Sequence, residues 1–471
     1  MTPEEFRAHG RQVVDWIADY WESLESRPVR SSAAPGEVAA ALPAAAPETG
    51  EPFEAVLADL DRVIMPGITH WQHPSFFGYF PANASGPAVL ADLLSSGLGV
   101  QGMLWATSPA ATELETVTLD WLAGLLDLPE RFRGGHGVIQ DTASSALLCA
   151  LLAALHRRSG GSVRTHGVRD RYAVYLSAET HSSAEKAVRI AGLGDAAIRL
   201  LDVDADHAVR VGALRAAVEA DLAAGVVPLM LVATVGTTST TAVDPVRELG
   251  EVCREHGIWL HVDAAYAGVA AVCPELRWVN DGLELADSYS TNPHKWLLTN
   301  FDCDAFWVAE PAHLVGALSV LPEYLRNAAT EAGTVIDYRD WQVPLGRRFR
   351  ALKLWAVLRW YGARGLREHI RGHVALAREF AGRVAADPRF ALVAPHPLSL
   401  VTFRLVAGDE ASRRLLEAVN DSGRAYLSHT RVAGRYVLRL AIGATSTERR
   451  HVEAVWALLQ ELAPVEEPAR P

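Results

Sequence analysis

Lys295 stands in apolar company: Pro293 and His294 precede it, and Trp296, Leu297 and Leu298 follow. An ammonium there is poorly solvated, which lowers its pKa from about 10.4, and an amine that is neutral at working pH can condense with a carbonyl to a Schiff base. The competing reading is a lysine that runs its head past Trp296 to water. Upstream, the apolar run Ile258-Trp259-Leu260 leads into His261-Val262-Asp263-Ala264-Ala265. That order sets Asp263 at the C-terminal end of a buried strand, the rim where ligands of open α/β sheets collect. The small residues after it allow close approach, so its carboxylate suits a buried cation such as a protonated pyridine nitrogen; capping of the next helix is the alternative.

Three more stretches reach a similar rim. Gly134-Gly135-His136-Gly137-Val138-Ile139-Gln140 leads by a short strand into Asp141-Thr142-Ala143-Ser144-Ser145, followed by the helix-forming run Ala146 to Leu155. The first turn of a helix offers unpaired N–H groups and a positive dipole end, and Thr142 and Ser144 add hydroxyls, so a phosphate can be held there without a lysine. Helix capping accounts for the same residues. A strand at Tyr172 to Leu176 carries His181 just beyond it, able to stack on a planar ring or to serve as an ordinary polar core residue. The apolar strand Leu229 to Val235 enters Gly236-Thr237-Thr238, with capping as the alternative for Thr238.

Strand and helix alternate from 138 to 308, and the strands are continuous apolar runs, which predicts an α/β domain with a mostly parallel sheet covered on both faces. Before it, Thr2-Pro3-Glu4-Glu5 is a capping box with proline at the first helical position, and Phe6, Val13, Val14, Ile17, Tyr20, Trp21 and Leu24 recur at helical spacing. The Ala/Pro-rich stretch 31–50 supplies no core for that stripe, so an arm packed on another subunit is expected, against an arm folded on its own domain. Residues 71–105 read as loop and short helix. No periodicity appears around Tyr324, which predicts a mobile loop that closes over the site. From Leu352 the pattern turns to long helices and then short strands at 400–405 and 436–442, a small α+β domain. The expected division is 1–79 (helical arm), 80–351 (large domain) and 352–471 (small C-terminal domain).

The 471 residues, 49% of them hydrophobic, suffice for two or three domains, and the net charge of −12 without a basic cluster argues against nucleic acid or an anionic membrane as partner. Apolar runs stop short of the ~20 residues of a membrane span, and the N-terminus lacks the order of a signal peptide. Cys149, Cys253, Cys273 and Cys303 are scattered without metal or disulfide spacing, so no metal and a cytoplasmic location are expected.

Asp263-x-Ala-Ala265 with Asn292-Pro-His294-Lys295-Trp296 resembles the group II pyridoxal-phosphate decarboxylases, most closely the aromatic L-amino acid decarboxylases. The resemblance runs through nearly the whole chain: Phe6-Arg7, Ile64 to Trp71, Phe76 to Pro81, Ser108-Pro109-Ala110, Thr112 to Glu115, and Pro344 to Arg350. It implies a fold of the aspartate-aminotransferase-like type I, an intertwined homodimer with active sites at the subunit interface, and pyridoxal 5'-phosphate as cofactor. By the same resemblance Lys295 carries the cofactor and Asp263 faces its ring nitrogen. Thr142, Ala143, Ser144, Asn292 and His294 surround its phosphate, and His181, Thr238 and Ala265 its ring. Tyr324 returns a proton to the carbon that lost carboxylate. Trp71, Tyr79, Phe80, Pro81, Ala82, Gln101, Met103, His181 and Gly346 would line the substrate pocket, with 101–103 reaching the partner's site.

Three departures bear on the substrate. Gln101 and Met103 replace an aliphatic and an aromatic residue, and Ala82 replaces a threonine, which removes a reason to select a ring hydroxyl. Gly346 falls where plant relatives separate indolic from phenolic substrates by glycine or serine, and leans towards tryptophan or a broad aromatic range. The expected reaction is decarboxylation of tryptophan, phenylalanine, tyrosine or DOPA to the arylalkylamine. Relatives that make aldehydes tend to replace the loop tyrosine or the stacking histidine, and both are kept here. An aldehyde synthase, a decarboxylase of a non-aromatic amino acid and a non-catalytic cofactor-binding protein are the other readings.

Overall fold

A computed structural model describes residues 1–320 and 335–464. The chain divides into two compact units.

The larger unit, Ala82–Arg378 with Ala394–Val401, is built on a seven-stranded sheet. Its strands are β1 (Gly137–Gln140), β2 (Tyr172–Ser177), β3 (Ile198–Leu201), β4 (Val227–Thr234), β5 (Trp259–Asp263), β6 (Ser288–Thr291) and β7 (Asp304–Val308), in the order β1-β7-β6-β5-β4-β2-β3. From β6 to β3 the strands are parallel; β7 runs antiparallel to both β6 and β1. The expected mostly parallel type I sheet is therefore present. All residues of β1, β2, β5, β6 and β7 are buried, which is why β2 and β7 read as largely apolar runs rather than alternating ones, whereas β6, Ser288-Tyr289-Ser290-Thr291, is polar in sequence and buried all the same. The helix Ala143–Ser159 lays Ala146, Leu147, Ala150, Leu151 and Ala154 into one buried cluster with Val174, Leu176, Met230 and Val232 of the sheet. Alanines at alternate turns let the helix approach closely, and each buried leucine contributes about 1.5–3 kcal/mol.

Parallel strands end on a common rim. Register pairs Thr234 with Asp263 and Asp263 with Ser290, so the ends of β4, β5 and β6 lie side by side. Turns leaving that edge build the candidate site.

The other unit comprises Met1–Pro81, Glu379–Val393 and the chain from Thr402 onward. Its helix Pro3–Ser23 carries the expected capping box: Thr2 Oγ1 accepts from the Glu5 N–H at 3.2 Å, and Glu5 Oε2 accepts from the Thr2 N–H at 2.6 Å. No residue of this helix is buried. A four-stranded sheet, β8 (Phe390–Leu392), β9 (Leu400–Leu405, in this unit from Thr402), β10 (Ser428–Val432) and β11 (Arg435–Ala441), has the order β10-β11-β9-β8. Phe380, Phe390, Phe403 and Trp456 close its core in edge and tilted ring contacts, 5.4 Å between Phe380 and Phe403 and 5.3 Å between Phe390 and Trp456. Among the described residues no helix is long and apolar enough to cross a membrane, and no group of three His, Cys, Asp or Glu could hold a metal ion.

Candidate active site

Lys295 sits in a four-residue helix, Pro293–Trp296, entered directly from β6 through Asn292. So short a helix does not hold itself, and its neighbours fix it. The Trp296 indole donates to His373 Nδ1 at 3.0 Å and stacks on Tyr266 at 4.9 Å, and the Tyr266 hydroxyl is bonded to Ser399. His294 Nδ1 accepts from the Cys303 N–H at 2.8 Å, and its carbonyl accepts from the Asn83 N–H at 2.8 Å. Burial pushes the His294 imidazole down to about 3, so the ring stays neutral. At Lys295 the same cause, burial, lowers the pKa of the amine, while Asp263 and Asp304 pull it upwards. Part of the lysine's surface stays accessible although its surroundings are dense.

Asp263 ends β5 and is buried, with Oδ1 accepting from the Ala265 N–H at 3.0 Å. The bond fixes the turn after the strand and leaves the carboxylate at the rim. Behind it, His261 Nδ1 lies 2.9 Å from Ser288 Oγ, which accepts from the Trp259 indole at 2.8 Å. A second carboxyl, Asp304, opens β7 with no exposed surface, and neither oxygen has a hydrogen-bond partner among the described residues. Burial, and next the charge of Asp263, raise its pKa well above the ordinary carboxylate value. Sequence reasoning missed it; the signal was an acid inside the apolar run Cys303 to Val308.

Thr142 is the N-cap of Ala143–Ser159 in extended conformation (φ −141°, ψ 160°), but its side chain makes no capping bond. Its carbonyl accepts from Ser145 and Ala146, and its N–H donates to Asp141 Oδ1 at 2.7 Å. Thr142 and Ala143 are half-buried and Ser144 is exposed, so the start of a 17-residue helix faces outward with its hydroxyls uncommitted to capping. Buried Asn292 likewise leaves Oδ1 without a partner among the described residues.

His181 is exposed, with Nδ1 accepting from the Ser183 N–H at 3.2 Å and lying 2.8 Å from Ser183 Oγ. Desolvation lowers its pKa, the charge of Asp263 raises it, and Lys295 and Lys186 lower it again. Thr238 is exposed on the turn after β4. That turn passes through Gly236 at φ +86°, where a Cβ would come within 2.6 Å of the Ala267 Cβ, so only glycine fits. Ala265 is buried beside Asp263, and its carbonyl accepts from the Asn292 N–H at 3.0 Å.

Of the substrate candidates, the larger unit gathers Gln101, Met103 and Gly346. The Arg347 N–H donates to Gln101 Oε1 at 2.6 Å, the Gly102 N–H to the Arg347 carbonyl at 3.1 Å, and the Arg339 N–H to the Met103 carbonyl at 3.0 Å. A cavity of about 390 Å³ is lined by Gln101, Gly346, Arg348 and neighbours. Arg347, which also lines it, forms an ion pair that no sequence motif shows: it meets Glu115 at 2.7 and 3.0 Å, both residues buried. Ala82 begins this unit, next to Asn83. Trp71, Tyr79, Phe80 and Pro81 belong to the other unit. There Trp71 stacks on Tyr79 at 5.5 Å, Arg439 lies 5.3 Å from the Phe80 ring centre, and Pro81 packs against Gly443. Tyr324 lies outside the described residues.

The arrangement is a buried amine beside two carboxyls, with an uncapped helix start on the same sheet. Known proteins match it along the whole chain. Phenylacetaldehyde synthase of Arabidopsis thaliana is 49% identical over 98% of this chain and 96% of its own length. Tyrosine decarboxylase 4 of Petroselinum crispum is 47% identical over 98% and 94%. A crystal structure of Oryza sativa TDC with PLP and tryptamine superposes with a TM-score of 0.95 at 43% identity, covering 98% of each chain. The family model described as the pyridoxal-dependent decarboxylase conserved domain matches residues 35–406, a span that takes in Thr142, His181, Asp263 and Lys295, and the chain belongs to this family.

Proposed function

We propose that this decarboxylase acts on an aromatic L-amino acid and releases the arylalkylamine and carbon dioxide. The observation that carries the reading is Lys295, an amine whose pKa burial lowers, in the neighbourhood of the Asp263 and Asp304 carboxyls. The residues present fit pyridoxal 5'-phosphate: the start of helix Ala143–Ser159 has no side-chain cap, Asn292 Oδ1 is buried without a partner among the described residues, and Asp263 stands at a strand end. When bound, the cofactor supplies the carbonyl that takes up the substrate amine and the electron-poor ring that accepts the pair left by departing carbon dioxide.

In this reading Lys295 would hold the cofactor covalently, and desolvation favours the neutral amine that such attachment requires. Asp263 holds a proton on the ring nitrogen. Fixed in advance by the Ala265 N–H, its charge stabilises the reaction without reorganisation at the moment of bond breaking. Thr142, Ala143, Ser144, Asn292 and His294 would bind the phosphate or shape its surroundings, Thr238 and Ala265 would border the cofactor, and His181 would stack on its ring and orient the substrate carboxylate. With Nδ1 accepting from the Ser183 N–H, the His181 proton sits on Nε2, free to donate outward. Tyr324 protonates the α-carbon. Trp71, Tyr79, Phe80, Pro81, Ala82, Gln101, Met103 and Gly346 receive the side chain.

The working form we propose is a homodimer with shared active sites. The helix Pro3–Ser23 buries nothing although Phe6, Val14 and Trp21 are exposed along it, which a second copy would cover. Oxidative release of an aldehyde is the second reading, favoured by the 49% identity to phenylacetaldehyde synthase and opposed by the presence of His181 and Tyr324. The test is kcat/KM for tryptophan, tyrosine, phenylalanine, DOPA, histidine and glutamate. An aromatic substrate ahead of the other two by tenfold or more supports the reading; glutamate or histidine in the lead overturns it.

A further inference from the structure

Gln101 is an exposed amide whose orientation the backbone decides. Its oxygen accepts from the Arg347 N–H at 2.6 Å, and because a backbone N–H can only donate, the amide cannot be flipped. Nε2 is thereby turned the other way, with no acceptor among the described residues, and lies 3.4 Å from where a Cβ on Gly346 would stand. Both residues line the cavity of about 390 Å³. The room that glycine leaves at 346 is therefore bordered by a fixed amide whose N–H donors are nearest, at 3.4 Å, and whose oxygen follows at 3.9 Å, not by apolar surface.

Resting on the aromatic reading above, we propose that Gln101 determines specificity by presenting its amide N–H groups to a hydroxyl on the substrate ring, so that phenolic amino acids are preferred over indolic and unsubstituted ones. A phenolic oxygen accepts such a bond. The indole N–H only donates, and the amide oxygen that could receive it already accepts from Arg347 and stands farther off, 3.9 Å from the same point, which makes it the poorer partner; a phenyl ring offers nothing and leaves a donor unpaired. The inference reverses the lean towards tryptophan that Gly346 alone suggests, and it supplies the polar partner that Ala82 lacks.

The test uses cofactor-loaded protein and two unreactive ligands, 3-(4-hydroxyphenyl)propionate and 3-phenylpropionate, with affinities measured by calorimetry in wild type, Gln101→Leu and Gln101→Glu. Wild type should bind the hydroxylated ligand about tenfold more tightly. Gln101→Leu should bring the two within about threefold. Gln101→Glu keeps an acceptor for the Arg347 N–H, and so the local fold, but replaces the donor by an acceptor; it should raise kcat/KM for tryptophan relative to phenylalanine. Equal affinities in wild type, or an unchanged ratio in Gln101→Leu, would overturn the inference. The calorimetry reads out even if no aromatic amino acid is turned over, a result that would count against the proposed function and not against Gln101.

Discussion

The pair Arg347–Glu115 gives the sharpest stability prediction. Glu115 projects from the helix Pro109–Leu125, accepts from the Ile139 N–H of β1 at 2.8 Å and takes both ends of the Arg347 guanidinium. Arg347 also donates to Gln342 Oε1 at 2.8 Å and to the Ile139 carbonyl at 2.8 Å. The helix, a strand and the 342–347 segment that holds Gln101 thus meet at one pair, with 4% and 2% of the two residues exposed. Glu115→Ala removes one partner and leaves a desolvated cation and an unbonded strand N–H, a loss of about 3–5 kcal/mol. With a urea m-value of roughly 4 kcal/mol/M for a chain of this size, the midpoint should fall by about 1 M at unchanged m. Glu115→Gln keeps an acceptor for Ile139 and should lose less. Urea unfolding of the cofactor-saturated protein, followed by circular dichroism, reads this directly. A shift of less than about 0.2 M in Glu115→Ala would refute the claim that the pair is desolvated.

Four further outcomes are expected. Asp263→Asn should lower kcat by about 10²–10³-fold while cofactor content, read by absorbance, is retained; activity within threefold of wild type would remove Asp263 from the chemistry. Lys295→Ala should lose the covalent attachment of cofactor that borohydride fixes in wild type, as intact mass shows. Tyr324→Phe should shift products from amine towards aldehyde and hydrogen peroxide, and undiminished amine would dismiss its proton-donor role. Stability should fall as pH drops from 6.5 towards 5. Eight described histidines have folded pKa values below their unfolded ones, so the unfolded chain binds the protons that the fold refuses. Four carboxyls raised by burial oppose this by holding protons in the fold, but they are outnumbered. A thermal midpoint that rises over that range would contradict the balance.

Most of the sheet was legible because strands buried on both faces tend to be continuously apolar, as β2 and β7 are; β6, Ser288-Tyr289-Ser290-Thr291, is buried throughout but polar, and reads as a strand only from its neighbours. Asp263 was legible for the same reason, as a charge at the end of an apolar run, and Lys295 because Pro293, Trp296, Leu297 and Leu298 around it would penalise a solvated ammonium. Asp304 was not read, because an acid inside a strand breaks the pattern without saying what surrounds it. Gln101 and Gly346 were each named, but 245 positions separate them in sequence, and no local rule shows that the amide of one borders the space left by the other. The antiparallel placement of β7 between β6 and β1 is likewise a matter of long-range pairing.

The central claim, that the Lys295 site releases an amine from an aromatic amino acid, is tested most directly by product stoichiometry. Cofactor-loaded protein is mixed separately with tyrosine, phenylalanine and tryptophan, and amine, aldehyde, carbon dioxide and hydrogen peroxide are quantified. One amine per carbon dioxide with no peroxide, fastest for tyrosine, is the expected result. Aldehyde and peroxide in step with carbon dioxide would contradict the amine-forming account.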